Sequence, residues 1–213
     1  MTPASDRADA LRLVPVSRET ERRLAIYVDL LARWRRVTNL ISESSFAEVW
    51  TRHIADSAQL LGLAPDARRW VDLGSGAGFP GMVLAIQLAD QPDAAVHMIE
   101  SDQRKGAFLR AVARETGAAA QIHSARIEAV APNSLMPVDA VTARALAPLP
   151  LLLDFAKVWL AAGAVGVFPR GRTTDAQLRD HPNPDALHFE TVASKIDPRT
   201  GILIVRRRES AQH

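Results

Sequence analysis

The chain has 213 residues, of which 47% are hydrophobic and 23% charged, a composition typical of one globular fold with a small appendage. It contains no cysteine, which excludes disulfide bonds, thiolate metal sites and a cysteine nucleophile. The formal net charge is only +2, so the chain as a whole exerts no strong pull on nucleic acid. All but three of the 26 basic residues are arginines, which by composition alone are more typical of solvated faces than of a binding surface.

The first part of the chain carries two helical patterns. Apolar residues recur at three- and four-residue spacing over residues 17–36, which predicts an amphipathic helix. A second helix is predicted over residues 45–62, because Ser45 and Glu48 have the spacing of a capping box. The sequence therefore predicts an N-terminal helical segment over residues 1–64.

From residue 65 onward, short β-type runs alternate with helical stretches. Such alternation predicts parallel strands joined by right-handed crossovers. The last two β-type runs, at residues 188–196 and 201–208, are separated by a turn that contains proline and glycine, which predicts an antiparallel hairpin. The predicted fold class is α/β, with a mostly parallel sheet over residues 65–213 that ends in this hairpin.

A glycine-rich turn, VDLGSGAGFPG at residues 71–81, follows the first predicted strand and opens a helix. Gly74, Gly76 and Gly78 permit positive φ and let backbone N–H groups approach a ligand without a Cβ between them. We interpret the turn as a loop that binds a nucleotide-type cofactor. The residues from Gly76 onward also satisfy the dinucleotide pattern G-x-G-x-x-G, so a dinucleotide-dependent oxidoreductase is an open alternative.

Three side chains near this turn bear on the choice of cofactor. Glu100 closes the second strand, where an acidic residue binds ribose hydroxyls in either class of enzyme. Asp72 lies on a strand expected to be buried on both faces, and its carboxylate suits an amine such as the α-amino group of S-adenosylmethionine. Pro80 removes an N–H that a pyrophosphate would use. Asp72 and Pro80 therefore favour S-adenosylmethionine.

Four motifs follow one another along the chain: VDLGSGAGFPG, IESDQRKGAFLRAV, SARIEAV and DAVTARALAPLPLLL. In this order and spacing they resemble the bacterial ribosomal RNA small-subunit methyltransferase G family, and the resemblance spans roughly residues 20–205. It implies a class I methyltransferase fold, which is Rossmann-like and uses S-adenosylmethionine. It also implies methylation of guanine N7 in 16S ribosomal RNA.

The resemblance assigns residues by their position in these motifs. Gly74 and Phe79 are implied to lie in the cofactor loop. Ile127 and Glu128 are implied to lie beside the adenine of the cofactor. Arg144 of TARAL is implied to lie at the cofactor or catalytic face, and it ends the fourth predicted strand, where ligands bind in open α/β sheets.

The acceptor chemistry follows from what the sequence lacks. Exocyclic amines call for an Asn/Asp-Pro-Pro-aromatic motif after the fourth strand, where this chain has TARAL, and cytosine C5 needs a cysteine. Guanine N7 has an exposed lone pair and needs only a cation that orients the base. Arg144 suits this role, and it suits equally the role of holding the cofactor carboxylate. The family usually has Lys-Gly after the fifth strand, where this chain has Arg170-Gly171, so the role of Arg170 is open.

The expected partner is 16S ribosomal RNA within the small ribosomal subunit. Arginines and one lysine are candidates for a phosphate-binding rim: Arg33, Arg35, Arg36, Arg52, Arg104, Lys105, Arg170, Arg172 and Arg206–Arg208. His53 and Asp56 are interpreted as a structural pair on one helix, and no metal site is expected. A cofactor-binding protein of ribosome assembly without turnover is a further alternative.

We also expect a cytoplasmic monomer. The N-terminus lacks the pattern of a secretory leader, and no stretch approaches the ~20 apolar residues that a membrane-spanning helix needs.

Overall fold

The structure, a computed structural model, describes residues 3–170 and 187–208. Within them, the strands are β1 (Arg69–Leu73), β2 (Ala95–Ile99), β3 (Ala120–His123), β4 (Ala140–Thr142), β5 (Val165–Arg170), β6 (Leu187–Ala193) and β7 (Gly201–Arg207). They form one sheet in the order β3-β2-β1-β4-β5-β7-β6. Strands β1 to β5 run parallel, whereas β7 is antiparallel to both β5 and β6. The predicted parallel sheet with a terminal antiparallel hairpin is confirmed.

The helices lie at the N-terminus and between the strands. The α-helices are α1 (Pro3–Leu13), α2 (Arg18–Trp34), α3 (Glu43–Phe46), α4 (Asp56–Ala58), α5 (Gly81–Gln87), α6 (Gln103–Thr116) and α7 (Leu149–Ala161). A π-helical stretch, Trp50–Ala55, precedes α4, and a 3-10 helix, Gln59–Leu63, follows it. Two more 3-10 turns, Ile127–Ala129 and Pro132–Leu135, precede β4.

The first predicted helix is confirmed and the start of the second is wrong. Ser17 caps α2, and its Oγ accepts the N–H of Thr20 at 3.1 Å. The predicted capping box of Ser45 and Glu48 does not form. Ser42 has the extended backbone of an N-cap and its Oγ accepts the N–H of Ser45 at 3.1 Å, so Ser45 lies inside α3.

No sequence pattern predicted α1 or the way it docks. Asp6 on α1 is fully buried, and its Oδ2 and Oδ1 accept the backbone N–H groups of Trp50 and Thr51 at 2.8 and 3.1 Å. A carboxylate that accepts two N–H groups at the start of a helical stretch acts as its N-terminal cap. Asp6 caps the stretch Trp50–Ala55 in this way, although it lies 44 residues before Trp50 in the sequence. Asp6 therefore fixes α1 against the residues that lead to α4.

The N-terminal helices and one face of the sheet share a hydrophobic core. Leu24 and Tyr27 of α2, Trp70 of β1 and Phe108 of α6 are fully buried in the same cluster. A second cluster lies on the other face of the sheet, where α7 packs. The division into residues 1–64 and 65–213 stays a prediction, and buried residues from both parts contribute to this one core.

The parallel sheet brings several loops together at one edge, where the candidate site lies. Because parallel strands end at the same edge, the loops after β1, β2, β4 and β5 converge there. No helix among the described residues is long and apolar enough to span a bilayer.

Candidate active site

The glycine loop after β1 has the backbone that its composition predicts. Gly74, Gly76 and Gly78 have φ of +67°, +56° and +99°. A Cβ on Gly76 would meet no atom closer than 3.9 Å, whereas a Cβ on Gly78 would lie 2.8 Å from Tyr27 Oη. Tyr27 also donates a hydrogen bond from Oη to the carbonyl of Ala77 at 2.6 Å. The absence of a side chain at Gly78 therefore lets α2 pack against the loop, whereas the space beside Gly76 is free of protein atoms.

Glu100 connects this loop to the next one. Its Oε2 accepts the N–H of Gly76 at 2.7 Å, and its Oε1 accepts the N–H of Asp102 at 2.8 Å. The residue is only 7% exposed. Because each carboxylate oxygen offers two lone pairs, both oxygens keep an acceptor site for a ligand.

A cavity of about 330 Å³ lies at the ends of β1, β2 and β3, in the size range of small-molecule sites. Its walls include Gly74, Gly76, Glu100, Arg126, Ile127 and Glu128. A Cβ on Gly74 would lie 2.6 Å from Leu146 Cδ1, so glycine permits the loop after β4 to close this cavity. The structure thus brings together five of the residues predicted for the cofactor, namely Gly74, Gly76, Glu100, Ile127 and Glu128.

Asp72 lies beneath the loop and is fully buried. Its Oδ2 accepts the N–H of Gly81 at 3.1 Å, at the first residue of α5, and its Oδ1 has no protein partner. Burial raises the pKa of Asp72 to about 7. A Cβ on Gly81 would lie 2.4 Å from the same carboxylate, so the strand and the helix approach closely here.

Phe79 belongs to the glycine loop, but its ring faces the helical segment. The ring is stacked on His53, with centroids 4.7 Å apart, and lies 5.3 Å from Tyr27. The guanidinium carbon of Arg144 lies 5.1 Å from the ring centroid, a cation–π distance. Phe79 thereby links the loop, the helical segment and the end of β4.

Arg144 is held by the helical segment. Its Nη2 donates to His53 Nδ1 at 2.7 Å, and its Nη1 donates to the carbonyl of Arg52 at 3.3 Å. His53 Nδ1 must be unprotonated to accept this bond. Burial, followed by the charges of Arg144 and Arg52, lowers the pKa of His53 to about 3. His53 is therefore neutral at physiological pH and fixes the guanidinium.

A second cavity, of about 310 Å³, opens beside the first. Asp56, Arg144, Ala145, Pro169, Arg170 and Thr200 contribute to its walls. Ala145 also lines the first cavity, so the two cavities meet at the loop after β4. Ala145 has φ of +53°, a left-handed backbone that a residue with a Cβ seldom adopts, and such strain clusters at functional sites.

Sequence reasoning interpreted His53 and Asp56 as a structural pair, but the structure places both at Arg144. Asp56 Oδ2 lies 3.8 Å from Arg144 Nη1. Burial raises the pKa of the Asp56 carboxyl, and the charge of Arg144 opposes the rise. The sequence showed that His53 and Asp56 are three residues apart on a helix. It did not show that this face of the helix packs against the end of β4.

Comparison with known proteins shows which family this chain belongs to. The family model described as rRNA small subunit methyltransferase G matches residues 20–196. The chain belongs to this family. A protein named ribosomal RNA small subunit methyltransferase G from Methylobacterium nodulans is 48% identical over 201 residues, 94% of each chain. A relative of the same name from Bradyrhizobium sp. strain ORS 278 is 51% identical over 177 residues, covering 83% of this chain and 80% of its own.

Solved structures show the same fold at low sequence identity. A putative O-methyltransferase from Klebsiella pneumoniae matches with a TM-score of 0.60 at 14% identity, over 97% of each chain. The O-methyltransferase TomG from Streptomyces achromogenes, solved in complex with SAM, matches with a TM-score of 0.59 at 15% identity, over 97% of this chain and 96% of its own. This chain therefore has the class I methyltransferase fold, as predicted.

Proposed function

We propose that this chain transfers a methyl group from S-adenosylmethionine to N7 of a guanosine in 16S ribosomal RNA. The observation that carries the proposal is the family match over residues 20–196. The match includes every residue that lines the first cavity, and it includes those of the second cavity except Thr200 and Gly201. The dinucleotide alternative rested on the pattern G-x-G-x-x-G alone, and membership of a methyltransferase family supports S-adenosylmethionine instead.

The first cavity fits S-adenosylmethionine. Glu100 keeps acceptor sites for the ribose hydroxyls, and Ile127 and Glu128 lie across the cavity for the adenine. Asp72, with one unpartnered buried oxygen, is the residue we assign to the amine end of the cofactor from beneath the loop. When bound, the cofactor supplies an electrophilic methyl group on a sulfonium.

The second cavity supplies the orienting cation. Arg144 is fixed by His53 and by the carbonyl of Arg52, so its remaining N–H groups are preorganised toward the cavity. Because N7 must stay open to accept the methyl group, Arg144 donates to O6 of the guanine. The nucleophile is the N7 lone pair, and placement supplies much of the rate.

The remaining expectations about partners belong to the same proposal. The substrate is the RNA of the small ribosomal subunit, and the enzyme acts in the cytoplasm as a monomer without a metal. Within residues 3–170 and 187–208, no group of three or more His, Cys, Asp or Glu side chains is arranged for a metal ion. Of the candidate phosphate contacts, Arg172 lies outside the described residues.

The product tests the proposal. Small subunits from cells that lack this protein should gain one guanosine that aniline cleaves after borohydride treatment, because methylated N7 carries a fixed positive charge. Arg144→Ala should lower the transfer of labelled methyl by at least about 100-fold, since loss of one preorganised donor typically costs two to three orders of magnitude. Arg114→Ala, an exposed arginine paired with Glu115 at the end of α6, is the matched control and should leave the transfer unchanged.

Digestion and mass spectrometry of the RNA identify the modified atom. A methyl group on ribose, on carbon or on an exocyclic amine contradicts the proposal. Binding of S-adenosylmethionine without transfer to any RNA supports the assembly protein without turnover.

A further inference from the structure

The second cavity contains a carboxylate that the methylation step does not use. Asp56, at the start of α4, lines this cavity together with Arg144 and Arg170. Its Oδ2 lies 3.8 Å from Arg144 Nη1. Its side chain is 21% exposed. A mostly buried carboxylate that lines the same cavity as two arginines has both the position and the hydrogen-bonding capacity to recognise a ligand there.

Asp56 is held in place from behind. Gln59 Nε2 donates to Asp56 Oδ1 at 3.0 Å and to Ser194 Oγ at 3.1 Å, and Gln59 Oε1 accepts the N–H of Lys195 at 2.9 Å. Gln59 is only 6% exposed and thus ties the carboxylate to the hairpin of β6 and β7. Because Gln59 uses one lone pair of Oδ1, the carboxylate retains acceptor sites on both oxygens.

We propose, building on the proposed function, that the second cavity is the pocket for the target base and that Asp56 selects guanine. The carboxylate accepts hydrogen bonds from N1–H and from the N2 amino group of guanine. Enzymes that modify a base inside a folded nucleic acid extrude it and read its Watson–Crick edge in this way. The arrangement leaves the N7 edge open toward the neighbouring cofactor cavity, which meets this one at Ala145.

Adenine is rejected by the same carboxylate. It has a lone pair at N1 where guanine has a donor, and it has no amino group at C2. Asp56 would face that lone pair and lose both hydrogen bonds, and a buried site that cannot satisfy its polar groups discriminates strongly. Arg144, which donates to O6 of guanine in the proposed function, would face the amino group that adenine presents at this position.

Nucleotide binding tests Asp56 separately from methyl transfer. Guanosine, inosine and adenosine 5′-monophosphates are titrated by calorimetry into the full chain saturated with S-adenosylhomocysteine. We expect guanosine monophosphate to bind at least about tenfold more tightly than inosine monophosphate, which lacks the N2 amino group, and adenosine monophosphate to bind most weakly. Equal affinities, or no binding of guanosine monophosphate, overturn the proposal.

The variant Asp56→Asn keeps the size of the side chain and changes its hydrogen bonding. An amide offers one donor and one acceptor, which match N1 and the N6 amino group of adenine. We therefore expect the affinity for guanosine monophosphate to fall at least about tenfold while that for adenosine monophosphate is kept or rises. A purely structural role would lower both affinities together and overturns the proposal.

Asp154→Asn is the matched control. Asp154 lies exposed on α7, where it pairs with Lys157 at 2.8 Å, and its replacement should leave the order of nucleotide affinities unchanged. If the order also changes in this variant, Asp56 is not the selecting residue. Absence of methyl transfer by the parent protein to small subunits would count against the proposed function, whereas the nucleotide order would still decide the role of Asp56.

Discussion

Gly76 and Gly78 differ in what surrounds them, although both have positive φ. A side chain at either position adopts a left-handed backbone, which costs roughly 1–2 kcal/mol. At Gly76 the added Cβ points into open space at the cavity, whereas at Gly78 it meets Tyr27 and Met82 within 3.0 Å. Gly76 therefore leaves open space at the first cavity, whereas Gly78 permits the packing of α2 against the loop.

This difference predicts opposite outcomes for two alanine variants. Gly76→Ala should weaken S-adenosylmethionine binding by at least about tenfold with only a modest loss of stability, because Gly76 lines the cavity that we assign to the cofactor and an added Cβ meets no protein atom closer than 3.9 Å. Gly78→Ala should lower stability further than Gly76→Ala, because α2 must shift away from the loop. Calorimetric titration and thermal unfolding of both variants measure the two effects. Unchanged cofactor affinity in Gly76→Ala would refute the assignment of the first cavity.

His53 makes stability depend on pH with a definite sign. Its pKa is about 3 in the folded chain and near 6.5 when unfolded, so between these values the unfolded chain binds one more proton. Stability therefore rises with pH across this window, and acidification from pH 6.5 destabilises the fold. The contribution has a maximum slope of about 1.4 kcal/mol per pH unit.

His53→Gln should reduce this dependence. Urea unfolding of the parent and the variant at pH 7.5, 6 and 5 gives the free energy of unfolding of each protein. The difference between the two proteins at each pH isolates His53, because the other titrating groups contribute equally to both. The parent should lose stability relative to the variant as the pH falls. A constant difference between pH 7.5 and 5 would mean that His53 binds a proton as readily in the folded chain as in the unfolded one, and therefore does not accept from Arg144.

The helix α2 and the turn after it separate arginines that sequence reasoning had grouped together. Arg35 Nη2 donates to Glu43 Oε1 at 3.0 Å and its guanidinium carbon lies 4.2 Å from the centre of the Phe46 ring. Its side chain is only 18% exposed, whereas Arg33 and Arg36 are exposed. Arg35 therefore joins α2 to α3, and the other two remain candidates for phosphate.

We expect replacing both Arg33 and Arg36 by alanine to weaken RNA binding. Each lost phosphate contact should flatten the slope of log affinity against log salt by about 0.7–0.9. Arg35→Ala should lower the unfolding temperature and leave the slope nearly unchanged. Filter binding of 16S RNA over a salt series measures the slope, with cofactor affinity as the control. If the double variant keeps the parental slope, these arginines belong to a solvated helix face.

At the scale of the whole molecule, the helical segment completes the hydrophobic core. Leu24 and Tyr27 of α2 are fully buried against the same cluster as Met82 and Phe108. Removing residues 1–64 would expose this apolar surface to water, and its burial stabilises the fold by about 25 cal/mol per Å².

We therefore expect the whole chain to unfold in one cooperative transition, and residues 65–213 alone to lack such a transition. We expect the truncated chain to aggregate or to show a broad thermal transition, measured by calorimetry and size-exclusion chromatography. Tyr27→Phe in the full chain is the control, because it removes one hydrogen bond and keeps the packing. A sharp transition of the truncated chain near the parental temperature would show that the two parts are independent domains.

The order of strands and helices was predictable because each element carries its own local signal. Alternating β-type and helical runs predicted the parallel sheet, and the turn before Gly201 predicted the hairpin. The glycines of the loop after β1 and Glu100 at the end of β2 were predictable for the same reason, since strand ends meet at one edge. The cap at Ser42 was missed because several serines in this stretch had comparable local propensity.

By itself, the sequence determined the fold class, the position of the glycine-rich loop and five of the residues that line the first cavity, because these depend on periodicity and on the order of elements. Only the tertiary structure decided what surrounds Arg144. His53 and Asp56 lie about 90 residues before it, and nothing local indicates which helix face meets which strand end. That choice depends on how α2 and the residues after it pack on the sheet, through long-range apolar burial that no short window of sequence contains.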